Sequence, residues 1–265
     1  MIFNRLKILL TLLVGLNLQI ANGQQNVVNP VFAGFDEPFN LSRPLKLGIG
    51  FSALGTGSLI GLNQLWYSQY ERRELHSFDD SKEWLQMDKA GHFLSAYQIN
   101  RGLHQSFMWA GADEKSSLLW SSAISWSFLA GIELMDGYSE GWGFSWTDFG
   151  ANTLGIGMYL GQDALWSEQR ILPKFSYTPS PYASCRPNVL GTNHVERVFK
   201  DYNGQTYWLS FDIMAFKEDT RIPSWLAISV GYGAEGMLGA VNNELAELEC
   251  LDLAAHSRTR QIFLS

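Results

Sequence analysis

From Leu45 onward the chain alternates between long apolar stretches with helical spacing and short polar breaks. Leu45–Tyr70 carries no charge after Lys46, and its Gly48, Gly50, Gly55, Gly57 and Gly61 predict a helix able to approach another closely. Glu71-Arg72-Arg73-Glu74 ends that segment, and Asp79–Lys82 predicts a polar turn. A second helix is expected from near Asp88 through His92, Tyr97 and Arg101 to about Phe107. Ala112-Asp113-Glu114-Lys115 is a start signal, with acids where the helix dipole favours them, for a third helix over Ser116–Met135. Gly137–Gly143 predicts a turn-rich loop. Ser145 then fits an N-cap with Asp148 three residues on, opening a fourth helix through Asn152 and Gly157 to about Trp166.

Beyond Trp166 the period changes. Pro173, Pro179, Pro181 and Pro187 predict a loop, after which Tyr207–Phe216 and Trp225–Gly233 show partial alternation of β-branched and aromatic residues. The charged turn Lys217–Pro223 between them predicts an antiparallel hairpin. Asn242–Asp252 is acidic and fits a short helix or a surface loop equally. Arg260–Ser265 opens a further strand-like run, which either pairs with the hairpin or belongs to a chain that runs on. Two or three strands are too few to close an outer-membrane barrel. The predicted class is α+β: a compact bundle of about four helices over 45–172, then a β-rich region over 173–265 forming an antiparallel hairpin or meander.

The N-terminus adds an address. Arg5 and Lys7 precede the apolar run Ile8–Leu18, and Ala21-Asn22-Gly23 supplies a small-residue cleavage site, which predicts a signal peptide over 1–23. No cysteine stands at that boundary, so no lipoprotein anchor is expected. Residues 24–44, with Phe32, Phe35 and Phe39, predict an extended lead-in. The mature chain is therefore expected in the periplasm or at the outer membrane. Cys185 and Cys250 are too few for a disulfide framework, and free thiols are the favoured reading.

Composition narrows the partners. A formal charge of -7 and the lack of a Lys/Arg-rich run exclude nucleic acid. Ten Trp and 14% aromatics fit an interface with lipid, carbohydrate or protein, or a Trp-heavy core. The helical segments are diluted by Ser, Gly, Asn and Gln, and mean hydropathy is -0.07. A bundle that is soluble or lies on a membrane surface is therefore expected first, with full insertion as the alternative.

Candidate chemistry concentrates between Asp88 and Gly155. Asp88-Lys89-x-x-His92, Glu133-x-x-Asp136-Gly137 and Gly143-Phe144-Ser145-x-x-Asp148-x-x-x-Asn152-x-x-Gly155 put acids, an imidazole and an amide on shared helix faces. Asp88 can orient His92 and raise its basicity. If the faces of Glu133 with Asp136 and Asp148 with Asn152 meet it, the set suits general acid–base chemistry. It fits a hard divalent cation such as Mg, Mn or Ca equally well. A purely structural network, built from helix caps and ion pairs, explains the same residues. His76, His104, His194 and His256 lie outside the pattern. No nucleophile elbow, phosphate loop, Cys-x-x-Cys or His-Glu-x-x-His motif occurs.

On Asp88, Lys89, His92, Glu133, Asp136, Gly137, Phe144, Ser145, Asp148, Asn152 and Gly155 the chain resembles a family of bacterial envelope proteins that includes YfiM-type periplasmic lipoproteins. The resemblance spans about Leu45–Trp166. The runs Lys200–Ser210 and Val230–Met237 look like longer, Bacteroidetes-type members. A fainter similarity links the order of acids, His and Asn to VanZ-like membrane proteins. The resemblance implies an envelope location and no reaction.

Three functions follow as expectations. The first is an envelope structural or interaction protein docked at a membrane or in an outer-membrane protein assembly. The second is an enzyme acting on a lipid or cell-wall intermediate, with His92 as base, Asp88 as its orienter, and Glu133, Asp136 and Asp148 as acid or metal-binding set. The third is a VanZ-like integral membrane protein. No cofactor or small-molecule ligand is specified by the sequence.

Overall fold

The computed structural model describes residues 42–65, 67–216, 223, 226–243, 252 and 257–265. The expected signal peptide, nearly all of the lead-in, most of the Lys217–Pro223 turn and most of Asn242–Asp252, with Cys250 and His256, lie outside the described residues. The chain divides into two compact units, Met1–Phe78 with Ser95–Leu160, and Asp79–Leu94 with Gly161–Ser265. The class is α+β, long helices followed by an antiparallel sheet.

The long helices are α1 (Ser42–Leu65), α2 (Met87–Trp109), α3 (Glu114–Gly137) and α4 (Trp146–Trp166). Their starts follow local signals. Asp113 caps α3, its carboxylate accepting from the Ser116 amide at 3.0 Å, and Ser145 caps α4 by accepting from the Asp148 amide at 3.0 Å. Each cap satisfies an amide that the first helical turn leaves without an intrahelical acceptor.

In the first unit α1 packs on α3. Gly131 permits the approach, since a Cβ there would stand 3.0 Å from Leu59 Cδ1. Ala96 of α2, Leu129 of α3 and Ile156 of α4 form its apolar centre, with Ile99, Phe128 and Leu160 against them. Tyr97 and Tyr159 meet edge to face at 5.4 Å, a favoured geometry for aromatic quadrupoles. The segment before Phe78 is strapped to the loop after α3. His76 donates its amide to the Gly137 carbonyl and accepts from the Phe144 amide, and its Nε2 lies 2.7 Å from the Trp142 carbonyl.

The second unit is built on an antiparallel meander, β1 (Ile171–Tyr177), β2 (Gln205–Asp212), β3 (Ala227–Glu235) and β4 (Thr259–Leu264), in the order β1-β2-β3-β4. The expected hairpin is β2–β3, and the final run pairs with it as β4. The loop expected over Pro173–Pro187 is corrected twice, by β1 and by short helices at Tyr182–Cys185 and Pro187–Leu190, with another at His194–Lys200 just beyond. Pro173 pairs opposite Leu209 in an edge strand, where a missing amide hydrogen leaves no ladder bond broken on a second side. Register puts Phe175, Tyr207, Leu209, Val230, Tyr232 and Ile262 on one face. Lys174, Thr206, Ser210, Ser229 and Gln261 share the other.

Two clusters form the unit's core. Met87, Ala234 and Met237 pack with Trp84, Tyr202, Tyr207 and Tyr232, while Tyr182, Ala183, Leu190 and Leu238 form the second. Trp84, Leu85 and Gln86, just before α2, take positive φ of 48°, 50° and 64°. Left-handed backbone costs a residue with a Cβ about 1–2 kcal/mol. The turn is held by the Trp84 amide on the Ala240 carbonyl at 2.7 Å, by Tyr232 donating to the Leu85 carbonyl, and by Arg260 donating to Gln86 Oε1 at 2.6 Å. Cys185 is disulfide-bonded, which corrects the free-thiol expectation for that residue.

Candidate functional site

The six candidate residues divide between the units. Glu133, Asp136, Asp148 and Asn152 belong to the first, Asp88 and His92 to the second.

In the first unit, one α3 face carries Ser117, Ser121, Ser125, Leu129, Glu133 and Gly137 into the interior at four-residue steps. Glu133 is only 2% exposed, and Asn152 of α4, also 2% exposed, donates to its Oε1 at 3.2 Å. A buried carboxylate without donors is strongly disfavoured, and this amide supplies one. Asp136 accepts from the Tyr67 hydroxyl at 2.7 Å. Burial above all, then the charges of Asp136 and Glu133 with the Asp136 hydrogen bond, hold the Tyr67 hydroxyl well above its ordinary range, so it stays a donor. Asp148 sits in the first turn of α4, its amide on Ser145 Oγ, where the dipole favours a carboxylate. His104, outside the expected pattern, is buried with its Nδ1 2.7 Å from the Tyr159 hydroxyl.

In the second unit, Asp88 is engaged from two sides. Tyr202 donates to its Oδ1 at 2.7 Å, and Lys89 Nζ donates to its Oδ2 at 3.1 Å. Lys89 also donates to Asp80 Oδ2 at 2.5 Å. His92 Nε2 stands 3.9 Å from Asp88 Oδ1, an ion-pair distance longer than a hydrogen bond. The oxygen expected to orient the imidazole thus receives the Tyr202 hydroxyl instead. Beside this group Glu83 has a carboxyl raised above its ordinary value, by burial first and then by the charge of Asp80, with Lys89 opposing. Tyr207 is raised by burial and then by the charge of Asp88. Its hydroxyl lies where a Cβ on Gly91 would come within 2.9 Å, so this turn of α2 needs glycine.

A cavity of about 240 Å³ opens in the same unit against the apolar sheet face. Phe93, Leu94, Leu209, Val230, Tyr232 and Ile262 line it, and none of the six candidates does. Farther along, Asp201 is fully buried and accepts from Ser180 Oγ at 2.7 Å, Asn203 Nδ2 at 3.2 Å and the Tyr177 hydroxyl at 3.3 Å. Burial, followed by the Asp201 charge, pushes Tyr177 up to about 12.

Sequence reasoning missed Tyr67, Asp80, Asp201 and Tyr202. The signal for Asp80 was near at hand, an acid nine residues before Lys89. Tyr202 reaches Asp88 across 114 residues, beyond any helical spacing.

Residues 77–161 match the profile of a family described as predicted periplasmic lipoprotein (DUF2279). The matched stretch contains all six candidates and supports an exported, envelope-located domain to which no function is assigned. No curated protein and no solved structure matches the chain.

Proposed function

We propose that this chain is a structural or interaction protein of the cell envelope, in which the Asp, Glu and His groups hold each unit's elements in register. One observation carries the reading: three of the four candidate acids have partners for their carboxylates within their own unit. Glu133 takes Asn152, Asp136 takes Tyr67, and Asp88 takes Tyr202 and Lys89. Such closed pairs fix helix positions at the cost of desolvating the charges, which is the usual bargain of a structural network. The cavity of the second unit adds weight, because an acid–base site needs its groups aimed at the space a substrate fills.

The reading is tested by Glu133→Gln, Asp136→Asn and Asp88→Asn. Each removes a charge-assisted hydrogen bond and should lower stability by about 1–3 kcal/mol in thermal melts. In a strain lacking the gene, the envelope defect should follow the loss of folded protein. A variant that melts like the parent yet fails to restore the envelope would move the assignment to catalysis.

A further inference from the structure

Two helices of the first unit, α1 and α3, have polar residues turned inward and apolar ones turned outward. Along α3 the buried row is Ser117, Ser121, Ser125, Leu129, Glu133 and Gly137, while Leu119 is 66% exposed, Trp120 58% and Trp126 42%. α1 does the same. Ser58 is buried, and Ile49, Leu54 and Ile60 are exposed by 61%, 60% and 54%. In water this arrangement leaves the apolar side chains hydrated and gives up the burial that normally drives helix packing. In hydrocarbon the same arrangement is the stable one. Small residues let helices approach, polar groups pair inside, and apolar side chains face lipid.

We infer that the first unit lies in a lipid bilayer, with α1 and α3 crossing the hydrocarbon and their exposed faces against acyl chains. Length supports it: each helix has 24 residues, about 36 Å at 1.5 Å per residue, enough for a hydrocarbon core about 30 Å thick. Burial separates these helices from the core helices of a water-soluble fold. Only 6% of the apolar window in Arg43–Gln64 is buried, and 22% of that in Glu114–Gly137.

The charge pattern agrees. After Lys46, α1 has no charged residue, and between Lys115 and the last turn α3 has none either; the acids of that last turn, Glu133 and Asp136, take Asn152 and Tyr67. Aromatic side chains stand exposed at both ends: Tyr70, Tyr138 and Trp146 at one, Trp109 at the other. That is the placement of an interfacial belt. A protein partner would ask for one apolar patch bounded by polar surface. Exposure spread around most of α1 instead fits a fluid that covers every side.

This inference rests on the envelope placement above and not on the role given to Glu133 or Asp88, so melts and lipid contact fail separately. The full chain, expressed in bacteria, should stay in the membrane pellet after an alkaline carbonate wash. Reconstituted in phosphatidylcholine vesicles with brominated acyl chains, it should lose tryptophan emission relative to unbrominated vesicles. The quenched part should shrink in the Trp120→Phe and Trp126→Phe variants, conservative changes at exposed positions. Release by carbonate as a monomer would overturn the inference, as would release as a dimer that covers these faces. Retention with quenching unchanged in both variants would also overturn it, by placing the anchor elsewhere.

Discussion

Along α3 the first unit withdraws serines, a glutamate and a glycine from solvent, whereas the second unit withdraws Tyr182, Leu190, Met237 and Leu238. The second unit therefore follows the ordinary rule in which burial of apolar area supplies the stabilisation. The first adds to its apolar centre of Ala96, Leu129 and Ile156 a close approach at Gly131 against Leu59 and paired polar groups such as Glu133 with Asn152. The lesson is that average hydropathy misjudges a helix that turns a row of its polar residues inward, as α3 does with Ser117, Ser121, Ser125 and Glu133. Serines that dilute the mean of α3 also leave its outer face more apolar than the mean suggests.

Truncations give the largest test of the contrast. Leu190→Ala, at a fully buried position in the second unit, should cost about 2–5 kcal/mol. Leu119→Ala, at an outward position in the first, should change stability by less than about 0.5 kcal/mol. Denaturation of the full chain in a mild detergent compares them, and equal losses would erase the distinction. A smaller effect is expected at the α4 cap. Ser145→Ala removes the acceptor of the Asp148 amide and should cost about 1 kcal/mol, with Ser145→Thr restoring most of it.

The smallest effect is a pH dependence confined to the second unit. Burial and the Asp80 charge raise the folded carboxyl of Glu83 above its unfolded value near 4.5. Its contribution is therefore fully present below that value and is lost as pH rises through the folded one. Glu83→Gln should melt higher than the parent at neutral pH, with the gap closing on acidification. A gap that stays constant with pH would assign the effect to packing.

Much of the helical fold was legible because its signals are local. Apolar period, the Asp113 and Ser145 caps and the Gly137–Gly143 break all act within a few residues. β1 escaped because Pro173 argues against a strand, and only the pairing with β2 on one side makes it tolerable. The pairing of Glu133 with Asn152 was foreseeable in kind, both lying on faces expected to be polar. Tyr202 on Asp88 and Tyr67 on Asp136 were not, since each partner is brought in by the path of the chain.

The sequence by itself determined the four long helices, the hairpin, the acidic balance and the six polar positions that had to be accommodated. Periodicity and capping depend on neighbours a turn away, so they can be read without a fold. The tertiary structure decided which face of each helix is withdrawn and which partner satisfies each buried acid. Those outcomes depend on distant segments packing together, and a residue's own neighbours in sequence do not encode them.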